Sequence, residues 1–289
     1  MDFLRHRDAP PALIQGILSL LLFAGLFGGR LRADTGSDPF AAWDATLTQP
    51  PTTPFPPIEG FEASYRFGWE GVAAGGAVVR ITEAPDPSRR RITASGGPNE
   101  WVHKLWNYRA DYYGEAGEDG QVPSWFHMDE DIIKGPQGMF LSDASFTPDT
   151  VFACHRFTTE NKPWLYSPLP GVRDLFTAML FVRSQPLHDG DRLRLTVFPD
   201  RNPYLVDLTV EGRDVVKLMG REIPAIRFTV GIQRIELLGE RKGRLAPHKK
   251  FHSGRVWMSD DKRRLPLRAE VDVFIGAVFA ELMKITPPL

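Results

Sequence analysis

Residues 61–69 read FEASYRFGW, and this stretch decides the fold class of the chain. Apolar side chains occupy every second position from Phe61 to Trp69, and small or polar residues lie between them. Such alternation is typical of a β-strand that buries one face. The next two apolar runs, residues 75–81 and 91–95, follow after short turns. The segment therefore predicts the start of an antiparallel meander.

Strand-like runs continue through the rest of the chain at intervals of about eight to twelve residues, a spacing typical of barrels and sandwiches. They cover residues 108–113, 121–131, 140–145, 151–158, 192–198, 204–211, 214–218, 223–231, 254–259, 267–275 and 277–285. Residues 101–107 fit either a short helix or an irregular strand. We predict a mainly β protein: an antiparallel barrel, a half-barrel or a large curved sheet.

One segment, residues 172–182, has the apolar spacing of an α-helix. Pro170-Gly171 precede it, and Ser184-Gln185-Pro186 follow it as a stop signal. The segment is too apolar for a helix that is exposed on most sides. We expect one apolar helix that packs on the sheet or plugs the mouth of a barrel.

The N-terminus predicts export. Three basic residues precede the apolar run 13–28, and Ala33 is a small residue at a plausible cleavage point. Residues 1–33 are therefore interpreted as a signal peptide. An uncleaved membrane anchor is the alternative, because two arginines directly follow the apolar run. Both interpretations place the rest of the chain in the periplasm or cell envelope, and cleavage leaves no stable membrane span.

The exported part divides into two segments. Residues 34–60 are rich in Pro, Thr and Asp without apolar periodicity, which indicates a linker or a loosely packed arm. Residues 61–289 are predicted to form a single antiparallel β domain. Cys154 is the only cysteine, so no internal disulfide can form. We interpret it as a buried core thiol, although a catalytic thiol beside His155 is the alternative.

Composition and motifs argue against several functions. The 35 Lys and Arg residues balance 36 Asp and Glu residues, so the basic excess of a nucleic-acid binder is missing. The sequence lacks the Gly-x-Ser-x-Gly and Ser-x-x-Lys motifs of serine nucleophiles. Two possible metal-ligand groups, Asp129–Asp131 and the pair His248 and His252, lack the spacing of a metal site. We expect no catalytic residue, no metal and no cofactor.

The closing hairpin has a structural interpretation. Trp257 is expected in the core, and Asp260 and Asp261 are expected to form the turn through bonds to the backbone. Residues 262–264 are expected to be solvated. The alternative is that Arg263 and Arg264 contact an anionic headgroup.

Several short motifs follow one another along the β domain: Tyr65…Gly68…Gly75-Gly76-Ala77, Asp174-Leu175 with Arg183 at the end of a helix, Gly190-Asp191, residues 210–219, residues 256–266 and Ile275-Gly276. Together they resemble a family of bacterial envelope proteins, the domain-of-unknown-function family 3108. The resemblance covers residues 61–285. It implies no catalytic residues, because the family has none assigned. The hairpin from Trp257 to Pro266 is also similar to that of periplasmic lipoprotein-carrier half-barrels, which implies a curved sheet with a helix on its concave face.

Apolar surface is the remaining functional signal. A curved sheet with one apolar face needs a second layer or a ligand to cover it, and burying a lipid chain supplies several kcal/mol at ~25 cal/mol per Å². The predicted ligand-binding residues are Trp101, Trp106, Trp125, Trp164 and Tyr166, together with Arg263 and Arg264. Three hypotheses follow: a non-enzymatic binder of a lipid-like ligand or an envelope protein, an assembly factor, and a hydrolase of envelope glycans.

Overall fold

The structure is a computed structural model that describes most of the chain after residue 37. The described residues are 38–52, 56–86, 88–103, 108–117, 123–132, 139–147, 149–157, 160–161, 165–199, 202–248, 251–273 and 276–288. The predicted signal peptide lies outside them, as do the candidate residues Trp106 and Trp164.

The described chain is mainly β, as predicted. Its strands are β1 (Phe61–Trp69), β2 (Val72–Glu83), β3 (Arg89–Pro98), β4 (Tyr108–Gly117), β5 (Pro123–Ile132), β6 (Met139–Thr147), β7 (Thr150–Phe157), β8 (Glu160–Asn161), β9 (Leu165–Pro168), β10 (Val172–Arg173), β11 (Arg192–Val197), β12 (Tyr204–Leu218), β13 (Arg221–Ile235), β14 (Leu245–Pro247), β15 (Phe251–Ser259), β16 (Pro266–Val273) and β17 (Gly276–Thr286). The α-helices are α1 (Glu100–His103) and α2 (Leu175–Ser184), and Asp44–Thr46 and Gly239–Arg241 form 3-10 turns.

The strands belong to one sheet, and its ladder is antiparallel except where β10 pairs with β11. Strand β1 pairs with both β2 and β17, so the first and last strands are neighbours. From β2 the sheet continues through sequential hairpins to β7 and β9. From β17 it continues through β16, β15, β13 and β12 to β11 and β10. The predicted opening meander of β1, β2 and β3 is confirmed.

The sheet curls into a nearly closed barrel. Strand β9 ends one side of the sheet and β10 the other, yet only residues 169–171 separate them in the chain. So short a connection brings the two ends close together. The N–H of Leu169 donates to the carbonyl of Asp149 (2.8 Å), which fixes this crossover. The predicted barrel-like architecture is therefore confirmed.

Helix α2 occupies the interior of the barrel. All its residues except Met179 are buried, and it contacts β4, β10 and β11, which lie in opposite halves of the sheet. The rings of Phe126 and Phe176 pack edge to face with centroids 5.7 Å apart. The prediction of one apolar helix packed on the sheet is confirmed.

The helix begins later than predicted. Asp174 is its N-cap, and its Oδ1 accepts hydrogen bonds from the N–H groups of Phe176 (2.7 Å) and Thr177 (3.2 Å). Residues 172–173 form β10 instead, because their backbone pairs with β11. The predicted stop is confirmed, since the helix ends at Ser184.

Asp174 also gives the fold a pH dependence. Burial raises the pKa of this carboxyl, so the folded chain holds its proton more tightly than the unfolded chain. Stability from this group is therefore greatest in acid and falls as the pH rises from about 4 towards the raised pKa. Asp174→Asn keeps a cap acceptor but cannot ionise, so its stability relative to wild type should be higher at pH 7 than at pH 4. Urea unfolding at both pH values measures this difference, and an equal difference at both values would contradict it.

A β-bulge changes the predicted face of Trp69. The register between β1 and β2 shifts between Phe67 and Gly68, and a side chain at Gly68 would collide with the carbonyl oxygen of Val72. The bulge reverses the alternation at the end of β1. Trp69 is therefore exposed, whereas Phe67 is completely buried.

The described part of the proline-rich segment is packed against the barrel. Phe40, Trp43 and Ile58 are buried, and the indole N–H of Trp43 donates to the carbonyl of Gly243 (2.9 Å). The N–H of Thr48 donates to the carbonyl of Arg194 on β11 (2.9 Å). Residues 38–52 thus cover part of the β11 edge. The sequence indicated a loose arm instead, because the few aromatic residues that anchor this segment show no periodic spacing.

Candidate ligand-binding site

The turn between β15 and β16 is fastened to the end of α2 by Arg183. Its Nε donates to the carbonyl of Arg263 (2.8 Å), its Nη2 to that of Lys262 (3.1 Å) and its Nη1 to that of Pro56 (2.8 Å). Burial, and then the neighbouring charge of Arg264, lowers the pKa of Arg183 to about 10, so the side chain stays charged at neutral pH.

Arg264 makes the reciprocal contact with the helix. Its Nη1 donates to the carbonyls of Arg183 (2.8 Å) and Gln185, and its Nη2 donates to that of Pro186 (3.1 Å). The last carbonyls of a helix have no partner within the helix, and a cation there complements the helix dipole. Arg264 therefore caps the C-terminus of α2.

The predicted turn chemistry is partly confirmed. Oδ1 of Asp261 accepts the N–H groups of Arg263 (3.0 Å) and Arg264 (3.0 Å), whereas Asp260 is paired with Arg213 (3.0 Å). The expectation that Arg263 and Arg264 are solvated is wrong, because both guanidinium groups bind backbone carbonyls. Sequence could not show this, since the carbonyls belong to segments far away in the chain.

A groove of about 450 Å³ opens beside this turn. It lies between the β12–β13 turn, the β15–β16 turn and the end of β17, at one end of the barrel. Its volume is within the range of small-molecule sites. Much of its lining is apolar: Met219, Ile223, Pro224, Met283, Ile285 and Pro288.

Met219 and Met283 are the adaptable part of this lining. They are 40% and 47% exposed, which is unusual for large apolar side chains. Met283 lies at a bulge, because β1 pairs Ser64 with Lys284 and Tyr65 with Leu282 and skips Met283. Alternation from the buried Leu282 already turns Met283 outwards, and the bulge leaves Lys284 exposed beside it.

Charged groups surround the apolar lining. Asp260 pairs with Arg213, and Glu222 pairs with Lys217 (3.2 Å). Within the described part of the chain, Arg221 and Lys284 line the same groove without an ion pair. The groove therefore joins an apolar lining to two unpaired cations.

The predicted aromatic residues do not meet in one place. Trp101 is exposed on α1. Asn99, which precedes α1, bonds to the carbonyl of Ala73 at the start of β2, so α1 lies at the end of β1 and β2 that is farther from the groove. Trp125 is exposed on β5, on the outer face of the barrel. The backbone of Tyr166 pairs with Phe152 on β7. Their predicted role in ligand binding stays a prediction.

The other chemical candidates have structural places. Cys154 is buried on β7, which confirms the prediction of a buried thiol. The ring of His248 lies 5.6 Å from that of Tyr204, whereas the side chain of His252 is outside the described residues. Asp129–Asp131 lie on β5, and their side chains are likewise not described. Among the residues whose side chains are described, no three His, Cys, Asp or Glu form a metal-binding group.

The fold and the groove define a class: a nearly closed antiparallel β-barrel with an internal helix and a surface groove at one end. The chain belongs to the family described as "Protein of unknown function (DUF3108)", whose profile matches residues 61–283. This finding confirms the predicted family. None of the described helices is long and apolar enough to cross a membrane.

The solved structures that match this chain share little sequence with it. A beta-barrel-like protein of the domain of unknown function DUF1849 from Brucella abortus has 12% identity and a TM-score of 0.53, and the match covers 79% of this chain and 98% of that protein. The lipoprotein LppX from Mycobacterium tuberculosis has 12% identity and a TM-score of 0.26, with 80% and 88% covered. No curated protein matches the chain.

Proposed function

We propose that this protein is a non-enzymatic binding protein of the bacterial cell envelope, and that its groove holds an anionic, lipid-like ligand. The observation that carries the proposal is the combination of exposed methionines with two unpaired cations in one groove. The apolar signal of residues 1–33 supports the envelope location.

The apolar lining would supply most of the affinity. Burying one methionine side chain contributes about 1.5–3 kcal/mol. Methionine is flexible and polarisable, so Met219 and Met283 could fit chains of different length and saturation. A site of this kind needs no reactive group.

The charges favour an anionic head. The groove carboxylates Asp260 and Glu222 pair with Arg213 and Lys217. The third groove carboxylate, Asp261, lies 3.7 Å from Arg263. Arg221 and Lys284 would attract a carboxylate or phosphate at the edge of the apolar lining. A neutral hydrocarbon would leave these cations unused.

The groove is a better candidate than the barrel centre. Helix α2 occupies the interior, and the rings of Phe146 and Phe198 approach to 6.3 Å there.

The other two hypotheses receive less support. Residues 38–52 cover part of the β11 edge that an assembly factor could have used, and the groove lining contains no tryptophan for stacking on a sugar.

Binding of a dansyl-labelled fatty acid to the full chain, purified from an exporting host and extracted with organic solvent, tests the proposal. Met283→Asp should weaken binding at least tenfold, because it places a charge in the apolar lining and removes about 1.5–3 kcal/mol of burial. Lys284→Gln should weaken binding several-fold and reduce its dependence on salt.

Val215→Asp is the matched control. Val215 is exposed on the same β12–β13 hairpin but does not line the groove, so this variant should bind the probe as wild type does. Native mass spectrometry before extraction should show a copurifying lipid. A bare protein mass together with no probe binding would refute the proposal, and so would equal losses in Met283→Asp and Val215→Asp.

A further inference from the structure

The outer face of the barrel carries a second feature that the groove does not explain. Tyr113 on β4, Trp125 on β5 and Phe152 on β7 are exposed by 40%, 40% and 42%. The neighbouring residues Tyr112 and Phe126 point the other way and are buried. The barrel core therefore does not require aromatic residues at the three outer positions. We call this set the outer aromatic face.

The sheet register fixes the layout of this face. Tyr113 is opposite His127, and Trp125 is opposite Ser145, which is in turn opposite Phe152. Trp125 and Phe152 thus lie two strands apart in one row, which is a separation of about 9–10 Å between their backbones. The spacing resembles that of alternate sugars along an extended β-linked glycan.

Polar groups lie between the aromatic rings. The ring of Trp125 stacks on that of His127 with centroids 5.7 Å apart and planes 16° apart, and the ring of Tyr113 lies 6.0 Å from His127. Nδ1 of His127 lies 2.5 Å from Oδ1 of Asp143, the residue opposite it on β6. Glu115 is opposite Trp125. Rings held by stacking thus alternate with carboxylates and an imidazole.

We propose that the outer aromatic face binds a β-linked glycan strand. The apolar C–H faces of pyranose rings stack on aromatic rings, and sugar hydroxyls bond to carboxylate and imidazole groups. A membrane surface fits less well, because Asp143 and Glu115 would enter an apolar layer among the rings. A protein partner also fits less well, because the centres of protein interfaces are depleted of charged residues.

Isothermal titration of the full chain with soluble hexasaccharides tests the proposal. The panel is chitohexaose and cellohexaose, which are β-linked and extended, and maltohexaose, which is α-linked and coiled. We expect binding of at least one β-linked sugar and at least tenfold weaker binding of maltohexaose. Trp125→Ala and Phe152→Ala should each weaken binding of the β-linked sugar about tenfold, which corresponds to the loss of one ring contact.

Two further variants make the test specific. Trp125→Leu keeps an apolar side chain but removes the flat ring, so it should lose as much affinity as Trp125→Ala. Trp69→Ala removes an exposed tryptophan on β1 rather than on β4, β5 or β7, and should bind as wild type does. Thermal melting of each variant shows that it is folded.

Three outcomes would overturn the proposal: no binding of either β-linked sugar at millimolar concentration, full affinity in Trp125→Leu, or equal losses in Trp69→Ala and Trp125→Ala. Binding of anionic vesicles through Trp125 without any sugar binding would assign the face to a membrane instead. None of these results depends on the fatty-acid groove, because Tyr113, Trp125 and Phe152 do not line it.

Discussion

Phe181→Ala is expected to lower the free energy of unfolding by about 3–5 kcal/mol, the usual cost of removing a buried phenylalanine. Phe181 lies on α2 inside the barrel and has no exposed surface. Its ring also covers the guanidinium of Arg173, with Cζ of Arg173 3.9 Å from the ring centroid. The variant therefore leaves a cavity and removes the ring from a buried cation.

The cation matters because it has few other partners. Nη1 of Arg173 donates to the carbonyl of Gly171 (2.8 Å), but its Nε has no hydrogen-bond partner within the described chain. Burial lowers the pKa of Arg173 to about 10, and the nearby Asp174 opposes that shift. A desolvated cation–π contact contributes about 2 kcal/mol. Phe181→Leu retains most of the volume and should lose mainly this contact.

Urea unfolding followed by tryptophan fluorescence measures both effects. We expect Phe181→Leu to cost about 2 kcal/mol, clearly less than Phe181→Ala, with similar m-values. Losses below about 1 kcal/mol in both variants would mean that α2 is not part of the cooperative core, since surface changes have effects of that size.

Arg183→Met is expected to lower the free energy of unfolding by about 3–5 kcal/mol, because removing a buried charged partner leaves several polar groups unsatisfied. Arg183 holds the carbonyls of Pro56, Lys262 and Arg263, and thereby joins the proline-rich segment, α2 and the β15–β16 turn. Methionine fills a similar volume without a donor. Arg183→Lys should recover part of the loss, since an ammonium cannot reach three carbonyls in a fixed plane.

Arg255→Met is the matched control. Arg255 lies on β15, which leads into the same turn, but its side chain is half-exposed and pairs with Glu270 at the surface (3.7 Å). Exposed ion pairs contribute about 0–1 kcal/mol, so this variant should be nearly neutral. Hydrogen exchange should accelerate at residues 56–60 and 260–265 in Arg183→Met only. Equal stability of the two arginine variants would contradict the proposed fastening role.

The sequence predicted the fold through periodicity and missed details that tertiary contacts decide. The alternation in residues 61–69 identified β1, but the bulge at Gly68 turned Trp69 outwards. The apolar spacing identified α2, but the pairing of residues 172–173 with β11 moved its start. Local sequence patterns predict whether a segment forms a strand or a helix, whereas the residues at which it begins and ends depend on partners far away in the chain.

The candidate sites were less predictable for the same reason. Lys284 lies exposed beside Met283 because of a bulge that depends on the pairing of β17 with β1. Arg263 and Arg264 look like solvated turn residues until the carbonyls that they bind are known. Trp125 was expected to line a cavity, but its strand presents it on the outer face. Side-chain type alone therefore cannot indicate which side of the sheet an aromatic residue occupies.

The pairing of β1 with β17 has a consequence for how the chain matures. Residues 61–69 can form a hairpin with β2 soon after synthesis, but their second neighbour, residues 276–286, lies far along the chain and is made much later. Until then one side of β1 has no ladder partner, and such long-range pairing slows folding. The barrel can therefore be completed only when β17 is available to pair with β1, so the two distant ends of the β domain close it together.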